Sequence, residues 1–131
     1  MIEIQQAREL LKAAMETQGK DFSYSDGGKN CLYRPMTEYD FHDGGGEFDA
    51  DDPRTKTGCL IGVALSLAGE TRHLNLKLCI TLVWQKYPDM MSEHTRIYFS
   101  KAQFNQDFGG SWGESYQEAE LYYREHIEPY L

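Results

Sequence analysis

The sequence predicts an α+β domain: about four helices packed around a buried central helix, with a small antiparallel β-hairpin on one side. Three observations lead there. Apolar residues recur at helical spacing at both ends of the chain. One apolar run, Cys59 to Ala68, is too uniform to face water. Two short extended pieces, Asp21–Tyr24 and Cys31–Arg34, flank a turn-rich stretch.

The elements follow in order. Ile4, Ala7, Leu11 and Ala14, joined by Leu10 and Met15, form one apolar stripe, and Gly19 stands where a helix takes its left-handed C′ residue. Between the extended pieces, Ser25-Asp26-Gly27-Gly28-Lys29-Asn30 offers residues that tolerate positive φ, a hairpin turn. Pro35 biases Arg34 toward extended geometry. Leu60 to Ala68 reads as the central helix, ended by Gly69. Leu74, Leu76, Leu78, Ile80 and Leu82 alternate as in a strand, yet their Leu content and the stop at Pro88 fit a helix as well; residues 74–84 stay open between the two. Ser92 caps a helix in which Ile97, Phe104 and Phe108 share one face, with Gly109-Gly110 as its stop. Ser111-Trp112-Gly113-Glu114 has the capping-box pattern, and Trp112, Tyr116, Ala119, Tyr123 and Ile127 continue it as an amphipathic helix to Pro129.

Residues Glu38 to Asp52 differ in kind. Glu38, Asp40, Asp43, Glu47, Asp49, Asp51 and Asp52 are seven of the chain's 21 acidic residues, with no Lys or Arg among them. With Gly44-Gly45-Gly46 inside it, the stretch reads as a long solvated loop inserted into a single domain spanning residues 1–131, and dispensable for folding.

Composition narrows the function. The 131 residues carry 13 Lys and Arg against 21 Asp and Glu, a net charge of −8. That excludes a sequence-independent nucleic-acid binder and a protein that docks on anionic lipid. No apolar run approaches the ~20 residues that span a bilayer, and Met1 to Gln6 lacks the layout of a signal peptide. Cys31, Cys59 and Cys79 form neither a disulfide framework nor a CxxC zinc pattern. The expectation is a cytoplasmic protein with buried free thiols, Cys79 among them, although Cys31 and Cys59 each begin an apolar segment and can lie close in space.

No catalytic signature and no cofactor motif is present. Gly44-Gly45-Gly46 lacks the lysine and framing of a phosphate loop. Asp49-Ala50-Asp51-Asp52 starts like a calcium loop, but Arg54 and Leu60 occupy the places of its Gly and bidentate Glu. Asp40, His42 and Asp43 are candidates for a metal-dependent hydrolase, while His73, His94 and His126 are scattered. Gln103, Gln106, Asp107 and Trp112 offer a polar pocket for a planar, nucleotide-like ligand, or satisfy backbone groups where helices meet. The preferred reading is a non-catalytic partner-binding surface made by Tyr39, Asp40, Phe41, Asp43, Glu47, Phe48, Asp49, Asp51 and Asp52. There aromatics anchor and carboxylates steer toward a protein with a basic surface. A homo-oligomer is compatible with this reading, and nucleic acid or membrane contact is not expected.

Asp21-Phe22-Ser23-Tyr24, Cys31-Leu32-Tyr33, Gly58-Cys59-Leu60-Ile61-Gly62, Ala102-Gln103-Phe104-Asn105-Gln106-Asp107-Phe108-Gly109 and Ser111-Trp112-Gly113-Glu114 follow one another along the chain. In that order they resemble a family of small uncharacterised proteins of bacteriophages, notably actinobacteriophages, and of their bacterial hosts. The resemblance rests on a Cys-x-Tyr strand, a Cys-Leu-(Val/Ile)-Gly helix start, an Ala-Gln-x-x-Gln-Asp-x-Gly turn and a Trp-Gly-Glu end. The chain departs from it in a longer acidic loop and a longer terminal helix. The resemblance implies a phage-type accessory protein and nothing about chemistry. The concrete expectation is an inhibitor of a nucleic-acid-handling defence enzyme of the host.

Overall fold

The computed structural model describes residues 1–24, 32–43 and 46–131. Six α-helices follow in order among them: α1 (Ile4–Gln18), α2 (Glu38–Asp43), α3 (Leu60–Leu67), α4 (Ile80–Lys86), α5 (Glu93–Asp107) and α6 (Trp112–His126). Short 3-10 turns occupy Pro53–Thr55 and Glu128–Tyr130. α5 and α6 pack along each other as a helical hairpin, and α3 packs against both α1 and α5. Most of the buried apolar side chains form one cluster that runs from Ile2 to Ile127.

The fold is helical, and the expected α+β class is wrong. Among the described residues there is no strand, and one isolated parallel bridge joins Ile2 to Met91. The physical reason lies in what the extended pieces bond to. Helix N-termini leave N–H groups without intrahelical partners. The carbonyls of Lys20 and Phe22 accept the N–H groups of Gly113 and Trp112, both at 2.8 Å, at the start of α6. The carbonyl of Leu32 accepts the Cys59 N–H at 2.9 Å, where α3 begins. Each piece therefore closes a helix end, and among the described residues the two meet through the Tyr24 hydroxyl, which donates to the Leu32 carbonyl at 3.2 Å, rather than through a backbone ladder. The proposed turn at Ser25–Asn30, with Cys31, lies outside the described residues, as do Gly44 and Gly45.

The helix signals at both chain ends fare better. Ile4, Ala7, Leu11 and Ala14 are buried on α1. Ser111 and Glu114 make the full capping box at the start of α6. α3 is the buried helix the apolar run implied, with Leu60, Ile61, Gly62, Ala64 and Leu65 inside and Gly69 beyond it at a φ of 83°. The ambiguous stretch resolves as turns followed by α4, which begins at Ile80.

Three side-chain expectations reverse. On α5 the core face is Thr95, Tyr98, Phe99, Ala102, Gln103 and Gln106, while Phe104 and Phe108 point outward. Cys79 is exposed rather than a buried hydrophobe. Cys59 is disulfide-bonded, not a free thiol.

Candidate functional site

The acidic stretch is a built lobe rather than a featureless loop. α2 opens it, and the residues Thr37-Glu38-Tyr39-Asp40 explain why. The Asp40 carboxylate accepts the Thr37 N–H at 2.7 Å and the Thr37 hydroxyl at 3.0 Å, satisfying the backbone at the helix start. The Arg34 guanidinium donates to both Asp40 oxygens, at 2.8 and 3.0 Å. This bidentate clasp, with the Thr37 bonds, outweighs burial and holds the Asp40 carboxyl well below the usual carboxylate range. Phe41 is buried, with the Phe48 ring edge-on to it at 5.5 Å and the Arg54 guanidinium 5.4 Å from its centroid. Lys77 reaches Asp43 at 2.9 Å from far along the chain, and Asp52 accepts from both the backbone and side chain of Arg54.

The nine residues of the expected partner surface therefore divide. Asp40 and Phe41 are buried, and Asp43 and Asp52 are tied to cations. Tyr39, Glu47, Phe48, Asp49 and Asp51 remain on the outside. Glu47, Asp49 and Asp51 have no ion-pair partner among the described residues. Glu38 faces His42 at 3.7 Å, with both side chains exposed. The same geometry separates Asp40, His42 and Asp43, so the hydrolase reading finds its three residues on three different contacts. No group of three His, Cys, Asp or Glu placed to hold a metal occurs among the described residues.

Gln103 and Gln106, one turn apart on α5, perform the backbone role. Cys59 and Cys79 precede α3 and α4 without capping them through their side chains. Gln106 Oε1 instead accepts the Leu60 N–H at 2.8 Å, and Gln103 Oε1 accepts the Ile80 N–H at 2.8 Å. Gln106 Oε1 also accepts from Trp112 Nε1 at 3.2 Å, and Gln103 Nε2 donates to the Tyr33 hydroxyl at 3.1 Å. Trp112 is fully buried. These amides join α3, α4 and α6 to α5 by bonds to the protein's own backbone and side chains.

Asp107 behaves differently from its neighbours. It is half-buried at the C-terminal end of α5, where the helix dipole disfavours an anion. It accepts one bond, from Gln106 Nε2 at 2.9 Å, and has no ion-pair partner among the described residues. Burial, against the lowering effect of that bond, pushes its carboxyl up to about 6. The folded state thus holds the proton more tightly than the unfolded chain, whose ordinary value is 3.8. Stability from this group is complete at low pH and is lost as pH rises through about 6. Asp107→Asn should therefore stabilise the protein at pH 7.5 by about 1 kcal/mol, discounted for the solvent that still reaches the group, and should leave stability at pH 3.5 unchanged. Urea titrations at the two pH values check this.

His73 is fully enclosed. Its Nε2 lies 3.2 Å from the Gly62 carbonyl and 3.3 Å from Ser66 Oγ. A carbonyl only accepts, so Nε2 carries the proton and has no lone pair with which to take one from Ser66. Nδ1 is buried without a hydrogen-bond partner among the described residues, and burial pushes the imidazole pKa down. The pair is packing rather than a nucleophile and its base.

A cleft of about 750 Å³ opens between the end of α1 and the start of α6, edged by Lys12, Lys20, Asp21, Ser111, Glu114 and Tyr116. The first N–H groups of α6 that face it are already bonded, to Phe22, Lys20 and Ser111, so it offers no anion seat.

Sequence reasoning missed Arg34, Lys77 and the burial of Asp40. Thr37-x-x-Asp40 was the available signal for a helix start here. Lys77 had none, since 34 positions separate it from Asp43. Comparison with protein-family models, curated proteins and solved structures finds no match to this chain. No helix among the described residues is long and apolar enough to cross a membrane.

Proposed function

We propose that the chain is a non-catalytic binding protein that works through the outer face of the acidic lobe, docking on a basic surface of another protein. One observation carries the reading: exposed Glu47, Asp49 and Asp51, with no ion-pair partner among the described residues, neighbour in sequence Phe48, which is 44% exposed and backed by the buried Phe41. Tyr39, 72% exposed on α2, extends the same lobe. An anchored aromatic with carboxylates beside it in the chain suits a partner whose lysines and arginines approach by long-range attraction. In its most concrete form the protein is a phage-type accessory factor in the host cytoplasm. Its target there is a nucleic-acid-handling defence enzyme, a class whose substrate groove is basic by necessity. The phage assignment is supported by the motif resemblance.

The test is capture from bacterial lysate at low and high salt, followed by binding kinetics on the captured protein. Glu47→Gln, Asp49→Asn and Asp51→Asn together should slow association about tenfold and flatten its salt dependence. Phe48→Ala should act on dissociation instead. A triple variant with the wild-type rate and salt slope would overturn the reading. Asp52 is left intact because its carboxylate holds Arg54.

A further inference from the structure

A pocket of about 330 Å³ opens between α3 and the two segments that flank the acidic lobe, residues 33–35 and 56–58. Its walls are apolar, with Val63 and Leu67 from α3 and Leu74 from the turns that follow. No carboxylate lines it, although the chain has 21 acidic residues. Arg34 is committed to Asp40 and Asn75, and the Tyr33 hydroxyl to the Leu78 carbonyl. Three side-chain donors remain. Thr57 is 7% exposed, and its hydroxyl has no hydrogen-bond partner among the described residues. That hydroxyl is not sealed in the interior, as His73 Nδ1 and Arg96 Nε are, so it opens onto the pocket that Thr57 lines. Ser66 Oγ lies 3.3 Å from His73 Nε2, which carries its own proton, and so keeps an O–H free to donate. Lys56 is exposed and has no ion-pair partner among the described residues.

We infer that this pocket binds a small apolar monocarboxylate. The carboxylate accepts from the Thr57 and Ser66 hydroxyls and from the Lys56 ammonium, and the hydrocarbon lies on Val63, Leu67 and Leu74. Chemistry selects this class. A buried hydroxyl without a partner costs free energy until something bonds it. Donors with no carboxylate among them call for a ligand that brings the acceptors, and a carboxylate accepts only. One uncommitted cation balances one negative charge. An ammonium ligand would meet three donors and no anion.

Volume sets the size. A cavity of about 150 Å³ holds benzene, so this pocket suits a molecule of about ten to twelve non-hydrogen atoms, the size of octanoate. Leu67 is 51% exposed, so the hydrocarbon stays partly wet and affinity is modest. The dissociation constant should be on the order of 0.1–1 mM.

Titration of the full chain with submicellar octanoate, followed by amide NMR, tests this. Saturable shifts should centre on Thr57, Ser66 and Leu67. Octanol, with the same hydrocarbon and no charge, should bind about tenfold more weakly, and octylamine more weakly still. Lys56→Met should weaken octanoate about tenfold and leave octanol unaffected, while Lys56→Arg retains most of the affinity. Thr57→Val should weaken octanoate about fivefold without lowering the melting temperature, because the hydroxyl it removes bonds nothing in the free protein. Absence of saturable shifts, shifts centred elsewhere, or octanol bound as tightly as octanoate would overturn the proposal. So would a Lys56→Met or Thr57→Val chain with the wild-type affinity for octanoate.

Discussion

Gly62→Ala is expected to cost at least about 4 kcal/mol, enough to leave much of the chain unfolded at room temperature. The sign is the opposite of the usual one, since alanine in a helix interior is better than glycine by about 1 kcal/mol. The reason is the backbone of Tyr33. A Cβ at Gly62 would overlap the Tyr33 carbonyl oxygen and sit 2.7 Å from its Cα. Both are main-chain atoms that cannot step aside. Tyr33 is itself fixed, its hydroxyl donating to the Leu78 carbonyl at 2.6 Å while it accepts from Gln103. Moving residue 33 away would also withdraw its neighbour Leu32, whose carbonyl holds the Cys59 N–H at the start of α3. Gly69→Ala is the control. That position has a φ of 83° but nothing within 4 Å of a new Cβ, so its cost is backbone strain alone, about 1 kcal/mol. Equilibrium urea unfolding of the two variants separates the effects. Equal losses at both positions would show that conformational freedom, and not the close approach of Tyr33, is what Gly62 provides.

The same contact shows why part of this fold was hidden in the sequence. α1 and α6 were legible because each has one apolar stripe and local end signals: Gly19 after the first, Ser111 and Glu114 at the start of the second. α5 was legible as a helix but not in its orientation, because Phe104 and Phe108 obey the same helical spacing as Tyr98, Phe99 and Ala102. Spacing identifies a stripe; it does not say which of two stripes faces inward. The extended pieces read as a hairpin because the stretch between them, Ser25 to Asn30, is rich in residues that tolerate positive φ. Here the unpaired N–H groups of α3 and α6 compete for the same carbonyls, and that competition is tertiary. Of the candidate site, the position of the acidic lobe was legible and its internal order was not. Asp40 looks like its neighbours in the sequence, yet Arg34 and Thr37 take every oxygen it offers. The carboxylates left outside, Glu47, Asp49 and Asp51, are those for which the described chain supplies no cation.

Trp112→Ala should cost about 3–5 kcal/mol, the range for removing a large aromatic from a well-packed core. The indole is fully buried, and the Phe22 ring meets it edge-on at 4.8 Å. It also has a polar duty, because its Nε1–H and the Leu60 N–H share one acceptor, Gln106 Oε1. The two contributions can be divided. Trp112→Phe retains most of the ring packing and removes the shared bond, while the Gln106 oxygen keeps its partner on α3. It should cost about 1 to 2 kcal/mol, part from the lost bond and part from the smaller ring. Gln106→Leu is the harsher probe, since it strands the Leu60 N–H and the indole N–H together in the interior. Its cost should exceed 2 kcal/mol even though leucine fills much of the space. If the three residues act as one knot, Trp112→Phe in the Gln106→Leu background should cost less than it does alone, because its bond is already gone. Strict additivity in that cycle, measured by urea unfolding at pH 7.5, would show that the indole serves packing only. The capping of α3 by Gln106 would then be independent of the helix that Trp112 begins.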